Sequence, residues 1–363
     1  MNVGIIGLPQ TGKKTLFSLL VGPGGALHAH VDPHKVLRGV ADVQDPRFDK
    51  LLEIYRPKKG TRARLEVQLL PKVEENVVRQ GDIFKDMVQV EALCHLVRVF
   101  EDDAVYHVWG GPNPAREIEF VQHELLLHDL MFVEKRLERL ESDLKKMKDE
   151  KRQRERGLLL KFKDHLEAEK PLRRLEISRE ERAFVSSYPI LTLQRMIIAL
   201  NVSEGQAAGD GDGDDKLLRD LSERFGEMDL AFVQIAVRAE ADIAQLDSEE
   251  EKAEFMKEMG VPDTALHLLT AKFIEAVGLL SFFTAAHNEL RQWFVRRGAL
   301  APEAAGKIHG DMERGFIRAE VVHYDDVVKH GSEESAKTAG DYHVKGKDYE
   351  IQDGDVIKIL FNV

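Results

Sequence analysis

The nonapeptide Gly7-Leu-Pro-Gln-Thr-Gly-Lys-Lys-Thr15 places two glycines and a lysine at spacings that suit the capture of phosphate. In such a loop the glycines let successive backbone N–H groups point into one concavity. The following helix adds the positive end of its dipole, and a lysine reaches the outer phosphates. Gly7, Gly12 and Lys13 satisfy that pattern, with Gln10 and Thr11 between them. Where the loop ordinarily carries a Ser or Thr to bind the magnesium of a nucleotide, this chain has Lys14. Thr15 comes one residue later, and one residue on a helix turns a side chain by about 100°. The competing account is a glycine turn that binds nothing.

A second constellation, Asn201-Val202-Ser203-Glu204, directly follows the apolar run Met196–Leu200. In phosphate-loop sheets the turn after that strand presents an Asn and a carboxylate to the edge of a base. Asn201, Val202 and Glu204 are therefore candidates for base recognition, against an ordinary polar turn. Hydrolysis needs a magnesium ligand after the lysine, a second carboxylate near the outer phosphate and a group that positions water. Where an Asp-x-x-Gly would be sought, the chain reads Gln68-Leu-Leu-Pro-Lys-Val-Glu-Glu75, with neither Asp nor Gly.

Other apparent sites are weaker. His28, His30 and His34 invite zinc, but i, i+2 histidines share no helix face and no cysteine joins them, so no metal site is expected. Gly209–Asp215 is acidic like a calcium loop yet lacks its terminal glutamate and flanking helices, which favours a flexible turn. Cys94, the single cysteine, lies in the apolar run Ala92–Val97 and reads as a buried thiol rather than a nucleophile.

The elements that must position these residues follow from periodicity. Val3, Ile5 and Ile6 form a first strand, and Leu16–Leu20 opens a helix. Further strands are expected at 36–43, 64–70, 92–100, 190–200 and 230–237. Asp45-Pro46 starts a helix through Tyr55, with Asp45 as its cap. Strands alternating with helices imply a parallel sheet. Leu126, Leu130, Val133, Leu137, Leu140, Leu144 and Met147 are spaced 4, 3, 4, 3, 4 and 3, a coiled-coil seam, and Gly157 and Pro171 bound a returning segment, so an antiparallel helical hairpin is expected. Its basic tract Lys145–Arg156 reads either as a solvated face or as a surface for RNA or a partner protein. Helices are expected at 216–225, 248–259 (capped by Ser248 and Glu251) and 263–277. Beyond Leu279 come short strand-like runs with one helix near 324–328.

The bulk numbers fit two or three domains: 363 residues, 43% of them hydrophobic, with net charge −12. That charge argues against general nucleic-acid binding, and no DNA sequence recognition is expected. No apolar run approaches a membrane span and no signal peptide is evident, so a cytoplasmic location is the expectation.

These residues resemble the YchF / Obg-like ATPase family over nearly the full length. The resemblance is carried by Gly7–Thr15, Asp45-Pro-Arg-Phe-Asp-Lys-Leu51 with Pro57-Lys-Lys59, Val97-Arg-Val-Phe-Glu-Asp102, Val133-Glu-Lys-Arg-Leu-Glu-Arg-Leu140 and Asn201–Glu204. Gly315–Val321 and Lys347–Val356 are similar to that family's C-terminal TGS domain. The resemblance implies an α/β Ras-like phosphate-loop domain (1–120 and 187–278), a helical-hairpin insertion (121–186) and a ubiquitin-like TGS domain (279–363), leaving a basic cleft. It also implies binding and hydrolysis of ATP, often in preference to GTP, and association with ribosomes. Gln10 to Thr15 carry over as phosphate contacts, and Asn201 and Glu204 stand in the family's adenine-reading Asn-x-x-Glu.

Three positions depart from the family. Lys14 replaces a serine, the Asp-Ile-Ala-Gly-Leu switch is absent around Leu69–Lys72, and His30-Val-Asp-Pro33 stands where Thr-Ile-x-Pro is expected. All three lie at the metal end of the site. The leading expectation is a nucleotide-binding, ribosome- or RNA-associated regulator with weak or lost hydrolysis, without a standard magnesium site. An active ATPase that recruits its metal through Thr15 or through nucleotide oxygens and water alone, and a scaffold that binds no nucleotide, are the alternatives.

Overall fold

The computed structural model describes residues 2–22, 35–71, 73, 82–146, 149–207, 213–246, 248, 251–252, 254, 265–286 and 288–362. By contact the chain divides into two units, 1–41 with 66–269 and 42–65 with 270–363.

In the first unit the apolar alternation of Val3, Ile5 and Ile6 becomes β1 (Asn2–Ile6), an inner strand buried from Val3 onward. It is flanked in parallel by β4 (Arg64–Leu69) and β5 (Ala92–Arg98), in the registers Val3↔Val67 and Val3↔Ala92. β6 (Arg195–Asn201) and β7 (Leu230–Ile235) continue the parallel pairing, and β2 (Leu37–Asp42) closes the opposite edge, giving the order β2-β4-β1-β5-β6-β7. All seven residues of β5 are buried, as a continuous apolar run in a helix-covered parallel sheet requires.

β5 and β6 are both shorter than expected. β5 stops at Arg98, since the N–H groups of Val99 and Phe100 both turn to the Asn201 carbonyl (2.9 and 3.2 Å). β6 starts only at Arg195, because Asp129 holds the preceding turn. Its carboxylate accepts from Leu191 N, Thr192 N and Thr192 Oγ1 at 2.7–3.1 Å.

The insertion is a helical hairpin of α4 (Pro114–Lys146) and α5 (Glu150–Glu167). Leu126, Val133, Leu137 and Leu140 of the seam pack with Leu158, Leu159, Phe162 and Leu166. Gly157 lies inside α5 instead of bounding the returning segment. The turn falls earlier, where the Asp149 side chain caps α5 by accepting from Lys151 N and Arg152 N.

In the second unit the strands are β3 (Lys59–Thr61), β8 (Leu279–Ala286), β9 (Glu289–Arg296), β10 (Phe316–His323), β11 (Tyr342–Lys345) and β12 (Asp355–Phe361), in the order β11-β10-β12-β8-β9-β3. Pairing is antiparallel except for β12 with β8 and β3 with β9. This is the ubiquitin-like domain, with one strand and one helix borrowed from far upstream. The borrowed helix, α2 (Pro46–Tyr55), is capped by Asp45, which accepts from Arg47 N at 3.0 Å. Its Phe48 and Leu51 join Phe283, Leu290, Val322 and Val356 in one core.

The unit also holds more helix than the single one expected near 324–328. α11 (Ala301–Ile308), α12 (Gly310–Arg314), α13 (Tyr324–His330) and α14 (Glu333–Ala339) are all present. Their start signals are short: Glu303 reaches back to Leu300 N (2.7 Å) and Ser332 accepts from Ser335 N (3.1 Å).

Candidate functional site

The loop after β1 has the backbone its glycines imply. Gly7 sits at φ 147°, and a Cβ there would lie 2.4 Å from the Leu96 carbonyl oxygen. Gly12 sits at φ 96° and caps α1 (Lys13–Val21), where a Cβ would lie 2.7 Å from Asn201 Nδ2. Both positions therefore require glycine for conformation and for space. Gln10 adds a third left-handed residue at φ 63°.

Inside the loop, Thr11 is buried and its hydroxyl donates to the Leu8 carbonyl (3.2 Å). Lys13 Nζ donates to the carbonyls of Gly7 (2.8 Å) and Leu8, tying the loop across its mouth. The first turn of α1 carries no acidic residue, so its N-terminal N–H groups and dipole are available to an anion. Lys14 and Thr15 are both exposed. This donor set fits a phosphate. Among the described residues it offers magnesium no ligand at position 14, where an ammonium stands in place of a hydroxyl, and the α1 start has no carboxylate.

The structure joins Asn201 to this loop across 190 residues of sequence. Asn201, the last residue of β6 and only 4% exposed, donates from Nδ2 to the Thr11 carbonyl at 2.9 Å. Its Oδ1 accepts from Val237 N at 3.1 Å, at the start of α9 (Val237–Ile243). The amide thus pins the loop to the neighbouring helix and is the reason no side chain fits at Gly12. Val202 is a core residue whose N–H donates to Ile235 O (3.1 Å). Glu204 is half-buried and begins the short helix α7 (Glu204–Ala207). Of the nine sequence candidates, Gln10 to Thr15 and Asn201 share one place, and Val202 and Glu204 follow on the same turn.

Sequence reasoning gave no site role to the loop that follows β5. Arg98 is 1% exposed and donates to four carbonyls, those of Phe100 (3.1 Å), Asp102 (3.0 Å), Val105 (3.0 Å) and Tyr106 (3.3 Å). A buried guanidinium that satisfies four backbone acceptors fixes the path of residues 99–106. The signal was an arginine interrupting an apolar strand. Because Phe100 N bonds the Asn201 carbonyl, this latched loop borders the Asn201–Glu204 turn. Farther along it, His107 Nδ1 accepts from Trp109 N at 3.1 Å. Burial holds the imidazole below its ordinary pKa of 6.5, with Arg98 and Arg116 acting in the same direction and Glu117 opposing them.

The hairpin's basic tract is partly neutralised. Arg152 pairs with Asp143 and Asp149 (both 3.6 Å), and Arg156 pairs with Glu141 (3.2 Å). The histidines at 28, 30 and 34, the departures at 30–33 and at Lys72, and residues 208–212 of the acidic turn lie outside the described residues. So does most of the helix expected at 248–259, although Glu251 N does donate to the Ser248 hydroxyl (3.1 Å).

The architecture is that of a phosphate-loop G domain with a long helical insertion, joined to a ubiquitin-like domain. A family model for the YchF GTPase C-terminal domain, described as a protein of unknown function, matches residues 279–362. The ribosome-binding ATPase YchF of Bacillus subtilis is 37% identical over 371 residues, covering all of both chains. That of Escherichia coli O157:H7 is 37% identical over 367 residues, 99% of each. The solved structure of the Schizosaccharomyces pombe YchF GTPase superposes with a TM-score of 0.82 at 28% identity, over 99% of this chain and 97% of that one. The chain belongs to the YchF family.

Proposed function

We propose that this chain binds a nucleotide, ATP in preference to GTP, and acts as a ribosome-associated regulator with weak or lost hydrolysis. One observation carries the reading: the Asn201 amide holds the phosphate loop at 2.9 Å, which ties the turn that begins at Asn201 to that loop. In this reading Gln10, Thr11, Gly12, Lys13, Lys14 and Thr15 hold the phosphates through backbone N–H groups and the lysine ammonium, and Asn201, Val202 and Glu204 frame the base. In this reading the G domain is drawn from 1–120 and 187–278, the hairpin is 121–186, and the TGS domain is 279–363 completed by residues 42–65 from within the first range. The relatives named above as ribosome-binding support the ribosome as partner, and no helix among the described residues is long and apolar enough to cross a membrane. A cytoplasmic location follows from that partner.

The proposal of weak hydrolysis rests on Lys14. An ammonium at that position offsets phosphate charge without a divalent ion, so nucleotide affinity should be independent of magnesium. Calorimetric titration with ATP in magnesium and in chelator tests this, and affinity that collapses in chelator refutes it. Lys14→Ser should restore metal dependence with little gain in turnover. The second reading, an active ATPase, is favoured by the names of the relatives and predicts turnover that depends on magnesium and on Thr15.

Ribosome contact through the hairpin is part of the same proposal. Lys145, Lys146, Lys151 and Arg154 are exposed or half-exposed along it. Replacing the first two and Arg154 by alanine should weaken co-sedimentation with ribosomes at low salt and flatten its salt dependence, since each phosphate contact contributes to the salt slope. An unchanged slope removes the hairpin from the interface.

A further inference from the structure

We propose that Asp326, His330 and Asp341, in the ubiquitin-like unit, form a binding site for a divalent transition metal, with zinc the ion of best fit. The site is separate from the nucleotide loop and does not depend on how that loop is read.

Two of the ligands come from one helix face. Asp326 and His330 are four residues apart on α13, which brings their side chains alongside each other. The third is delivered by a turn. α14 ends at Gly340, whose φ of 92° reverses the chain, and Asp341 N donates back to the Ala336 carbonyl at 3.0 Å. The Asp341 carboxylate then meets the imidazole, with Oδ2 at 2.8 Å from His330 Nε2. One ligand atom from each of the three residues lies within 4.8 Å of the others.

The charge balance of the cluster favours a cation. Two carboxylates converge on one imidazole, and among the described residues Asp326 has no ion-pair partner. The one ammonium at hand, Lys329 Nζ, lies 3.4 Å from Asp341 Oδ2 on a side chain about two-thirds exposed, so it is free to swing aside. His330, at 19% exposure, is sheltered by the α13–α14 pair, which gives the site a fixed inner wall.

The donor set selects the ion. One imidazole nitrogen and two carboxylate oxygens suit zinc, whereas magnesium and calcium favour all-oxygen sites. Tetrahedral bonds of about 2.0–2.1 Å hold ligand atoms about 3.3 Å apart, a spacing inside the 4.8 Å within which the three atoms already lie, so small side-chain rotations suffice. Water completes the fourth position. Bound metal would staple α13 to the start of β11. Val327 of that helix is buried in the core that also holds Phe48 and Phe283.

The experiment is titration of the full, nucleotide-free chain with zinc chloride, followed by calorimetry and by cobalt(II) absorption as an independent report of nitrogen–oxygen ligation. One saturable site is expected, with thermal unfolding raised by a few degrees at about 100-fold excess over Kd. His330→Ala and Asp326→Asn should each weaken binding by more than the roughly 10–100-fold that loss of an outer-shell partner costs. His330→Gln, which can still donate to Asp341, separates loss of a ligand from loss of folding. The proposal is overturned by an isotherm that His330→Ala and Asp326→Asn leave unchanged, which would place the metal elsewhere. It is equally overturned if no saturation occurs below about 1 mM.

Discussion

Replacing Asn201 by alanine should both loosen the first unit and weaken ATP binding. The variant removes the donor that satisfies the Thr11 carbonyl and the acceptor that satisfies Val237 N–H, at a residue 4% exposed. A buried polar group left without a partner costs roughly 1–3 kcal/mol, so two of them amount to about 2–4 kcal/mol once partial rehydration is allowed for. With a slope near 2 kcal/mol per molar urea, the unfolding midpoint should fall by about 1–2 M. ATP affinity should fall by about 1–3 kcal/mol, roughly 5- to 150-fold.

Asn201→Asp sharpens the test. It keeps the acceptor for Val237 but turns an oxygen toward the Thr11 carbonyl, where only a donor fits. At neutral pH it should be no better than alanine. Its carboxyl pKa in the folded state should be raised, because only the protonated form donates to that carbonyl. A raised folded pKa means stability gained as pH falls through it and lost as pH rises, so the aspartate variant should recover relative to alanine under mild acid. Urea unfolding followed by circular dichroism from pH 4.5 to 7.5 measures this. If Asn201→Ala stays within about 0.5 kcal/mol of the parent, or if the two variants share one pH profile, the amide is not what holds the loop.

Two further outcomes are expected. A fragment of residues 279–363 should fail to fold cooperatively, because it leaves Phe283, Leu290, Val322 and Val356 without Phe48 and Leu51, and linking 42–65 to it should restore a sharp transition; in the full chain Phe48→Ala should cost about 3–5 kcal/mol in that unit, read by denaturant unfolding, and a cooperative 279–363 fragment would refute the assignment. By NMR, His107 should titrate below 6.5, and Glu117→Gln should lower it further, since Glu117 favours the charged ring. A depressed base binds fewer protons folded than unfolded, so its share of stability is present above pH 6.5 and is lost as pH falls toward the folded value.

What could be read from sequence was what local spacing encodes. The phosphate loop, the hairpin seam and the Asp45-Pro46 cap each lie within a few residues, and each stands where spacing put it. The Asn201 turn was visible, but its hold on Thr11 was not, because that bond spans 190 residues and depends on two strands lying at the right separation in the sheet. Arg98 is one charged residue in an otherwise largely apolar strand, and only the folded loop reveals the four carbonyls it satisfies. The helices of the C-terminal region were under-read because each runs five to eight residues, too short for periodicity to show.

The excursion of residues 42–65 into the ubiquitin-like unit has a consequence for the order of synthesis. Those residues leave the ribosome well before the strands that cover them, with nearly all of the first unit made in between. Through most of translation Phe48 and Leu51 have no partner, so an amphipathic helix stands uncovered on an otherwise foldable domain. Such a segment is an obvious handle for a chaperone, and its burial marks the moment at which the strands bearing Phe283, Leu290, Val322 and Val356 have joined it.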